Sequence, residues 1–224
     1  MASNADDHIV QGNLLVGQGQ YDRAVAEYTE AIRIEPRSAL AYMGRGVARA
    51  KAGQVKQAIA DQTEAIRIEP GLAAAFRNRG RDHWTRGAVR SALADFTEAI
   101  RLEPQDAGAY CDRATVYNRL GKFALAIADA NEGVRLAPEF HLGHSARGFG
   151  FLGRGRQRAF TFWRRGNAEA RKADFRLAVA DFTEAIRLLP VSWDCYHGRA
   201  AAYRLLGDHA SAAKDEAKPP RTGR

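Results

Sequence analysis

Residues 28–36 read YTEAIRIEP, and the same nine-residue pattern returns along the chain. The later copies are QTEAIRIEP (62–70), FTEAIRLEP (96–104), ANEGVRLAP (130–138) and FTEAIRLLP (182–190). The first four prolines, at 36, 70, 104 and 138, are 34 residues apart, whereas the fifth follows only after 52 residues. Self-similarity at a period of about 20 to 50 residues indicates an array of structural repeats. One interval in this array is 18 residues too long.

Each 34-residue period predicts a pair of helices. In the second helix of the third period, Ala92, Phe96 and Ala99 fall on one face at helical spacing, and charged residues occupy the opposite face. The proline that follows cannot continue a helix and disfavours helical geometry in the residue before it. Upstream, a glycine in QGQ, AGQ, RGA and LGK supplies the turn between the two helices. Each repeat is therefore predicted to be a helical hairpin.

The repeated pattern of this chain resembles that of the tetratricopeptide repeat (TPR) family. The family pattern has a small residue at position 8 of the repeat, Ala at 20, an aromatic residue near 24, Ala at 27 and Pro at 32. The second repeat has Gln62 where the aromatic residue belongs. The third repeat matches in full with Gly80, Ala92, Phe96, Ala99 and Pro104. The resemblance covers residues 5–38, 39–72, 73–106, 107–140 and 159–192, with a truncated sixth repeat from Trp193.

The resemblance implies an all-α fold, a right-handed superhelical solenoid of TPR helix hairpins interrupted by an 18-residue insertion after the fourth repeat. Members of the family bind peptides or partner proteins in a concave groove and are generally not catalysts. One regular departure is an arginine at position 7, where leucine is common, at Arg45, Arg79, Arg113, Arg165 and Arg199. We expect each arginine stem to pack between helices and its head to pair with an acid such as Asp61, Asp95 or Asp181.

The insertion contains two segments that each read as the first helix of a repeat, HLGHSARGFGFLGRG (141–155) and AFTFWRRGNAEARKADF (159–175). Glycine is unfavourable inside a helix by about 1 kcal/mol relative to alanine, and four glycines crowd residues 148–155. We therefore predict a break or kink near 153–157. The expected organisation is four TPR repeats in 1–140, a capping or kinked helix with a Gly/Arg-rich insertion at 141–158, a fifth and a truncated sixth repeat at 159–218, and a disordered basic tail at 219–224.

The insertion also carries aromatic and basic residues that a terminal helix would leave exposed. Since aromatic residues and arginine are enriched at interface centres, we expect this surface to support self-association, through Phe149, Phe151, Phe160, Phe162, Trp163 and Arg164. Nine lysines or arginines lie between residues 141 and 176 against two acids, so most of the net charge of +8 is local. Nucleic acid binding by residues 147–176 is the alternative, with a basic patch at Arg154, Arg156 and Arg158.

The inner positions of the first helices supply the predicted partner-binding groove. Its residues are Met43, Arg77, Asn78, Arg81, Trp84, Asp112, Asn118 and Arg119. Trp84 between two arginines is the expected anchor for a peptide of acidic character. The alternative is that Trp84 simply packs between the second and third repeats. Some members of the family bind chaperone C-termini through a set of lysine, asparagine and arginine residues at fixed repeat positions. Only Asn13 matches this set here, so binding of that kind is not expected.

Other chemistries find little support in the sequence. Residues 148–153 match G-x-G-x-x-G, but no strand precedes them and no βαβ unit follows. His141 and His144 have no third metal ligand nearby, no catalytic triad is suggested, and no apolar run is long enough to cross a bilayer. We therefore expect a cytoplasmic, non-enzymatic scaffold or adaptor without cofactor or metal, binding a protein or peptide. A regulatory arm of an enzyme encoded elsewhere is a further alternative.

Overall fold

The computed structural model describes residues 4–161 and 168–218, with only the backbone for residues 155, 157–161 and 168–171. Within these ranges the regular structure consists of helices alone, which confirms the all-α class. No described helix is both long and apolar enough to span a bilayer. The described part of the chain contains twelve helices: α1 Ala5–Gly17, α2 Tyr21–Ile34, α3 Ala39–Lys51, α4 Val55–Ile68, α5 Ala73–Thr85, α6 Val89–Leu102, α7 Ala107–Arg119, α8 Phe123–Leu136, α9 His141–Thr161, α10 Ala168–Leu188, α11 Trp193–Leu206 and α12 His209–Glu216.

The first four hairpins have the same dimensions. Each joins a 13-residue helix to a 14-residue helix, with three residues between them. The middle residue of each connection is a glycine, and Gly53 has φ of 79°, a left-handed conformation that L side chains rarely adopt. At the far end, Glu35 and Glu69 stand before prolines and have ψ of 87° and 88°, outside helical geometry. The predicted glycine turns and proline stops are thus confirmed.

The chain forms two compact units, residues 1–104 (unit 1) and residues 105–224 (unit 2). In unit 1, α1 contacts α3 and α3 contacts α5; in unit 2, α7 contacts α9 and α9 contacts α11. Among the described residues, no second helix of a hairpin contacts another second helix of the same unit. The first helices therefore line the inner side of each unit, and the second helices form the outer side.

Three hairpins are closed by an aromatic ring from the second helix. Tyr28, Phe96 and Phe182 occupy the same place in their repeats, and each is at most 1% exposed. The rings lie against glycines of the first helices, so that a Cβ at Gly12 would come within 2.7 Å of the Tyr28 ring. Gln62 occupies this place in the second repeat and is also fully buried. These contacts explain why the first helix needs a small residue at this position.

The 18 additional residues lengthen one hairpin. Helices α9 and α10 contain 21 residues each, which is eight more than the usual first helix and seven more than the usual second helix. The remaining three extra residues lie between the two helices. A break near 153–157 is not found, because α9 continues through these residues to Thr161, whereas a kink there stays a prediction. The first helix expected to begin at 159 is likewise not separate, since α9 and α10 pack against each other as one pair.

The glycines of α9 serve packing. A Cβ at Gly148 would lie 3.0 Å from the Phe182 ring, and a Cβ at Gly150 would lie 2.7 Å from Ile127 Cγ1. Gly153 faces the ring of Phe123 in the same way. Because these glycines allow α9 to approach α8 and α10, tertiary contacts offset the low helix propensity that led to the predicted break.

Candidate functional site

The recurrent arginines have a structural role. Arg45 donates two hydrogen bonds to Asp61, at 2.8 and 3.1 Å, and a third to Thr29 of the preceding repeat at 3.3 Å. Asp61 is buried, and Arg49 also donates to it at 2.7 Å. The same bidentate geometry recurs in the pairs Arg79–Asp95, Arg113–Asp129 and Arg199–Asp215. The predicted arginine–acid pairing is therefore confirmed, and these arginines are not available for a ligand.

In the lengthened hairpin, the acid Asp181 pairs with Arg147. Three bonds of 2.7 to 3.1 Å join the guanidinium and the carboxylate. The two residues are 34 positions apart, whereas the other pairs are 16 apart, and the difference equals the length of the insertion. The first helix of the fifth repeat is thus α9. Arg165, expected to hold the equivalent position, lies outside the described residues.

The inner side of unit 1 exposes apolar and basic side chains together. Val10 of α1 is 67% exposed and Leu40 of α3 is 51% exposed, although both are aliphatic. Lys51 and Arg81 are also exposed on α3 and α5. The predicted groove residues Met43, Arg77, Asn78 and Trp84 are half-buried on the same two helices.

A cavity of about 240 Å³ opens between α3 and α5. Of the predicted groove residues, Asn78 and Arg81 line it, while Trp84, Met43 and Arg77 are not part of its wall. Helix α4 closes the cavity from the outer side through Val55 and Gln62. The complete lining is Val47, Ala50, Lys51, Val55, Gln62, Asn78, Arg81, Asp82 and Thr85.

Two oxygen atoms in this lining have no hydrogen-bond partner among the described residues. Gln62 Nε2 donates to the Met43 carbonyl oxygen at 3.1 Å, but Gln62 Oε1 accepts no bond. Asp82 Oδ2 is likewise buried without a partner, in a residue that is only 6% exposed. Burial raises the pKa of the Asp82 carboxyl to about 7, and the nearby positive charge of Arg81 opposes this shift only in part.

Sequence reasoning missed the roles of Gln62 and Asp82. Gln62 departs from the aromatic pattern, but the pattern alone does not show what this departure does to the packing. Asp82 stands where other first helices have apolar residues, namely Leu14, Ala48 and Val116. A comparison of equivalent repeat positions reveals Asp82 as a candidate, since a buried acid at an otherwise apolar position is costly unless it is paired or hydrogen-bonded.

The predicted groove residues of unit 2 are arranged differently. Asn118 Nδ2 donates to the Ala146 carbonyl oxygen at 2.8 Å and so ties α7 to α9. Asp112 is half-buried, and Arg119 is exposed at the end of α7. Asn118 therefore has a structural use, and of the three only Arg119 is fully accessible.

The surface predicted for self-association is partly internal. Phe149 makes an edge contact with Phe182, with ring centroids 4.9 Å apart. Phe149 and Phe151 both pack against the hydrophobic cluster of unit 2 around Leu152 and Phe175. The two rings are therefore half-buried, because the lengthened hairpin supplies its own second helix to pack against them, and self-association through this surface stays a prediction. The side chains of Phe160, Phe162, Trp163 and Arg164 lie outside the described residues.

The predicted basic patch also contains an internal ion pair. Arg154 donates to Asp174 at 2.6 Å, and the Asp174 side chain is only 3% exposed. The guanidinium further lies 4.9 Å from the ring centroid of Phe151. Arg156 is exposed, and the side chain of Arg158 lies outside the described residues. The first arginine of the patch therefore joins α9 to α10 and does not offer an uncompensated charge.

The chain belongs to the tetratricopeptide repeat family. The family model described as "Tetratricopeptide repeat" matches residues 9–73, 77–139 and 164–218, which together exceed half of the sequence. No curated protein matches the sequence at a significant level.

Solved structures share the fold at low sequence identity. A tetratricopeptide repeat protein from Parabacteroides merdae ATCC 43184 is 19% identical, with a TM-score of 0.69 over 94% of this chain and 77% of that chain. YrrB, described as a TPR protein with an unusual peptide-binding site, is 15% identical, with a TM-score of 0.60 over 84% of this chain and 88% of that chain. A human IFIT1 dimer with m7Gppp-AAAA is 17% identical, with a TM-score of 0.75 over 95% of this chain but only 49% of that chain.

Proposed function

We propose that this protein is a non-enzymatic scaffold that holds a peptide or a partner protein on the inner side of unit 1. TPR proteins are generally non-catalytic scaffolds for protein–protein interaction. The observation that carries the proposal is that the first helices of unit 1 expose two aliphatic side chains, Val10 and Leu40, and two basic ones, Lys51 and Arg81. Neither aliphatic side chain contributes to the core of its hairpin, and apolar residues rimmed by charged ones are typical of partner-binding surfaces.

The charge of this surface favours a partner with acidic residues. Helices α3 and α5 contain six lysines or arginines, among them Lys51, and a single acid, Asp82, so their sequence is basic. Such a surface attracts acidic segments and discriminates against basic ones. YrrB, which has the same fold, is described as having a peptide-binding site, which supports a peptide as the form of the ligand.

Two leucines of similar exposure allow a controlled test. Leu40 lies on the inner side of unit 1 and is 51% exposed, whereas Leu125 lies on the second helix of its hairpin and is 49% exposed. Affinity capture with the wild-type chain would identify a partner, and calorimetry with the purified partner would then compare Leu40→Glu with Leu125→Glu. We expect Leu40→Glu to weaken binding about tenfold or more and Leu125→Glu to leave it unchanged within about twofold.

Equal affinity of both variants for every partner would exclude the inner side as the binding surface. Circular dichroism and urea unfolding of both proteins serve as the folding control, since an exposed substitution away from the core normally changes stability by less than about 0.5 kcal/mol.

The nucleic acid alternative receives less support from the structure than from the composition. The IFIT1 structure with m7Gppp-AAAA contains a protein of this fold with a capped oligonucleotide. In the segment 147–176, however, Arg147 and Arg154 are each bound to a buried aspartate. A salt-titrated polarisation assay with an oligonucleotide tests this alternative directly, and tight, salt-dependent binding would favour it over the scaffold proposal.

A further inference from the structure

We propose that the cavity between α3 and α5 is a pocket for one primary-amide side chain, asparagine or glutamine, of the bound peptide. The inference rests on the proposed function for the place of the peptide on the inner side of unit 1. It names the residue type that this surface recognises, which neither the fold nor the family model specifies.

The cavity has its origin in a single departure from the repeat pattern. In the first repeat, the ring of Tyr28 reaches Gly44 of the next first helix as well as Gly12 of its own hairpin. An aromatic ring at this place thus fills the space between neighbouring first helices. Gln62 has a shorter and narrower side chain, and its amide nitrogen is held by the Met43 carbonyl oxygen within its own hairpin. The space between α3 and α5 is therefore left to the cavity, with Gln62 in its wall.

A second departure places another polar group in the same wall. Asp82 replaces the apolar residues of other repeats at its position, and its Oδ2 atom is buried without a partner among the described residues. Gln62 Oε1 is likewise buried without a hydrogen-bond partner among the described residues. Gln62 and Asp82 line the same cavity, and a buried acceptor oxygen in each is costly unless something donates to it, because it has lost its hydrogen bonds to water.

The hydrogen-bonding groups of the lining select the class of ligand. Gln62 Oε1 is an acceptor, Asp82 Oδ2 is an acceptor when its carboxyl is ionised, and Asn78 carries N–H donors. A primary amide has two N–H donors and one carbonyl acceptor, so it satisfies both unpartnered oxygens and accepts a bond in return. Val47 and Val55 provide apolar contacts for the methylene groups of such a side chain.

Other side chains fit this lining less well. A carboxylate would place acceptor oxygens against those of Gln62 and Asp82. An ammonium could donate to both oxygens, but it would leave the Asn78 donors without an acceptor and would approach the positive charge of Lys51. An aliphatic group would leave both buried oxygens without a donor. A cavity of 240 Å³ is also below the range of about 300 to 1,000 Å³ usual for small-molecule sites, which suits one side chain.

The test uses four small probes and the full-length chain. The probes are the N-acetyl, C-methylamide derivatives of glutamine, glutamate, lysine and methionine, titrated while the backbone amide resonances are followed by NMR. In the wild type, we expect the glutamine probe to shift the resonances of Ala50, Val55, Asn78 and Thr85 in a saturable way. We expect the other three probes to cause shifts at least about fivefold smaller at the same concentration, since buried polar groups reject ligands that cannot pair with them.

The matched variant is Gln62→Phe, which restores the residue type that the third and fifth repeats carry at this place. It fills the cavity and is expected to fold at least as stably as the wild type, so loss of binding cannot be attributed to unfolding. We expect it to abolish the glutamine-dependent shifts. Asp82→Val, which introduces the residue of the fourth repeat, is expected to weaken them at least fivefold.

The outcomes separate this inference from the proposed function. If the lysine or glutamate probe gives the larger shifts, or if Gln62→Phe responds to glutamine as the wild type does, the amide pocket is refuted. The same holds if no probe shifts these resonances. In each of these cases the scaffold proposal is unaffected as long as Leu40→Glu still weakens binding of the partner, because that test does not involve the cavity.

Discussion

Arginine occupies a repeat position where leucine is common in the family, and it pairs with an aspartate of the second helix. Arg45 reaches Asp61 of its own hairpin and Thr29 of the preceding one, so one side chain joins three helices. Replacing a buried ion pair by apolar groups is often neutral, whereas removing one partner costs about 3–5 kcal/mol. The pairs therefore add geometric specificity, since the planar guanidinium accepts only one orientation of the carboxylate.

Asp82 is the one buried acid of α5, and no arginine of the described residues forms an ion pair with it like those of Asp61 and Asp95. Burial raises its pKa to about 7, above the value of about 3.9 expected in the unfolded chain. Between about pH 4 and pH 7 the folded state thus keeps a proton that the unfolded state has lost. Linkage requires its contribution to the free energy of unfolding to fall as pH rises through this range.

We predict that Asp82→Asn increases the free energy of unfolding relative to the wild type at pH 8 but has little effect at pH 4. The amide has nearly the same shape and carries no charge at either pH. Urea unfolding at several pH values measures the difference, which should grow from about pH 4 to pH 7 and then level off. Asp95→Asn is the control, because it weakens an ion pair with Arg79 and should destabilise the protein at pH 8. A constant difference for Asp82→Asn across this range would contradict the raised pKa.

At the scale of elements, the hairpins were predictable because each boundary has a local cause. Glycine in the turn and proline after the second helix act within a few residues, so the sequence alone reveals them. The lengthened hairpin was not predictable in this way. Gly148 and Gly150 have low helix propensity, and only their contacts with Phe182 and Ile127 show why α9 nevertheless remains continuous. Tertiary contacts thus keep α9 helical despite the low helix propensity of its glycines.

The packing role of these glycines can be tested by adding one methyl group. We predict that Gly150→Ala destabilises the protein by about 1–3 kcal/mol, because the new Cβ would meet a buried isoleucine. That Cβ would lie 2.7 Å from Ile127 Cγ1, in a side chain that is only 7% exposed. If Gly150 merely weakened the helix, alanine would instead stabilise it by about 1 kcal/mol. Urea unfolding of Gly150→Ala and the wild type shows whether the free energy of unfolding falls or rises.

Gly17→Ala is the matched control for this substitution. Gly17 is the last residue of α1, and an added Cβ would meet nothing within 4 Å. We expect its stability to stay within about 0.5 kcal/mol of the wild type, as is usual for exposed positions. A loss at Gly17 as large as at Gly150 would show that helix backbone effects, and not packing against Ile127, explain the result.

For the whole molecule, repetition allowed the array to be predicted and departures from repetition marked the candidate site. Asn78 and Arg81 are predictable as groove residues from the sequence, because their position in the repeat places them on the inner side. The cavity itself is not predictable from the sequence, since it depends on Gln62 of α4 and Asp82 of α5 lining the same space. The role of Trp84 as an anchor stays a prediction: it is half-buried and outside the cavity wall.

The lengthened hairpin raises the question whether the insertion is needed for folding and binding. Replacing residues 154–174 by the Leu-Gly-Lys turn of residues 120–122 restores a repeat of 34 residues. The contact between Arg147 and Asp181 then spans 16 residues, as in the other repeats. We predict that this variant keeps its helical fold, because Leu152, Phe175 and Phe182 of the hydrophobic cluster all remain.

The same variant assigns the binding activity to one part of the chain. No described residue of the insertion lines the cavity, and Val10 and Leu40 belong to unit 1. We therefore expect the affinity for the partner to stay within about twofold of the wild type, as for independent sites. Calorimetry with the partner and light scattering of the free chain provide the measurements. Retained helicity with lost partner binding would instead place the function in residues 154–174, in favour of the basic and aromatic surface.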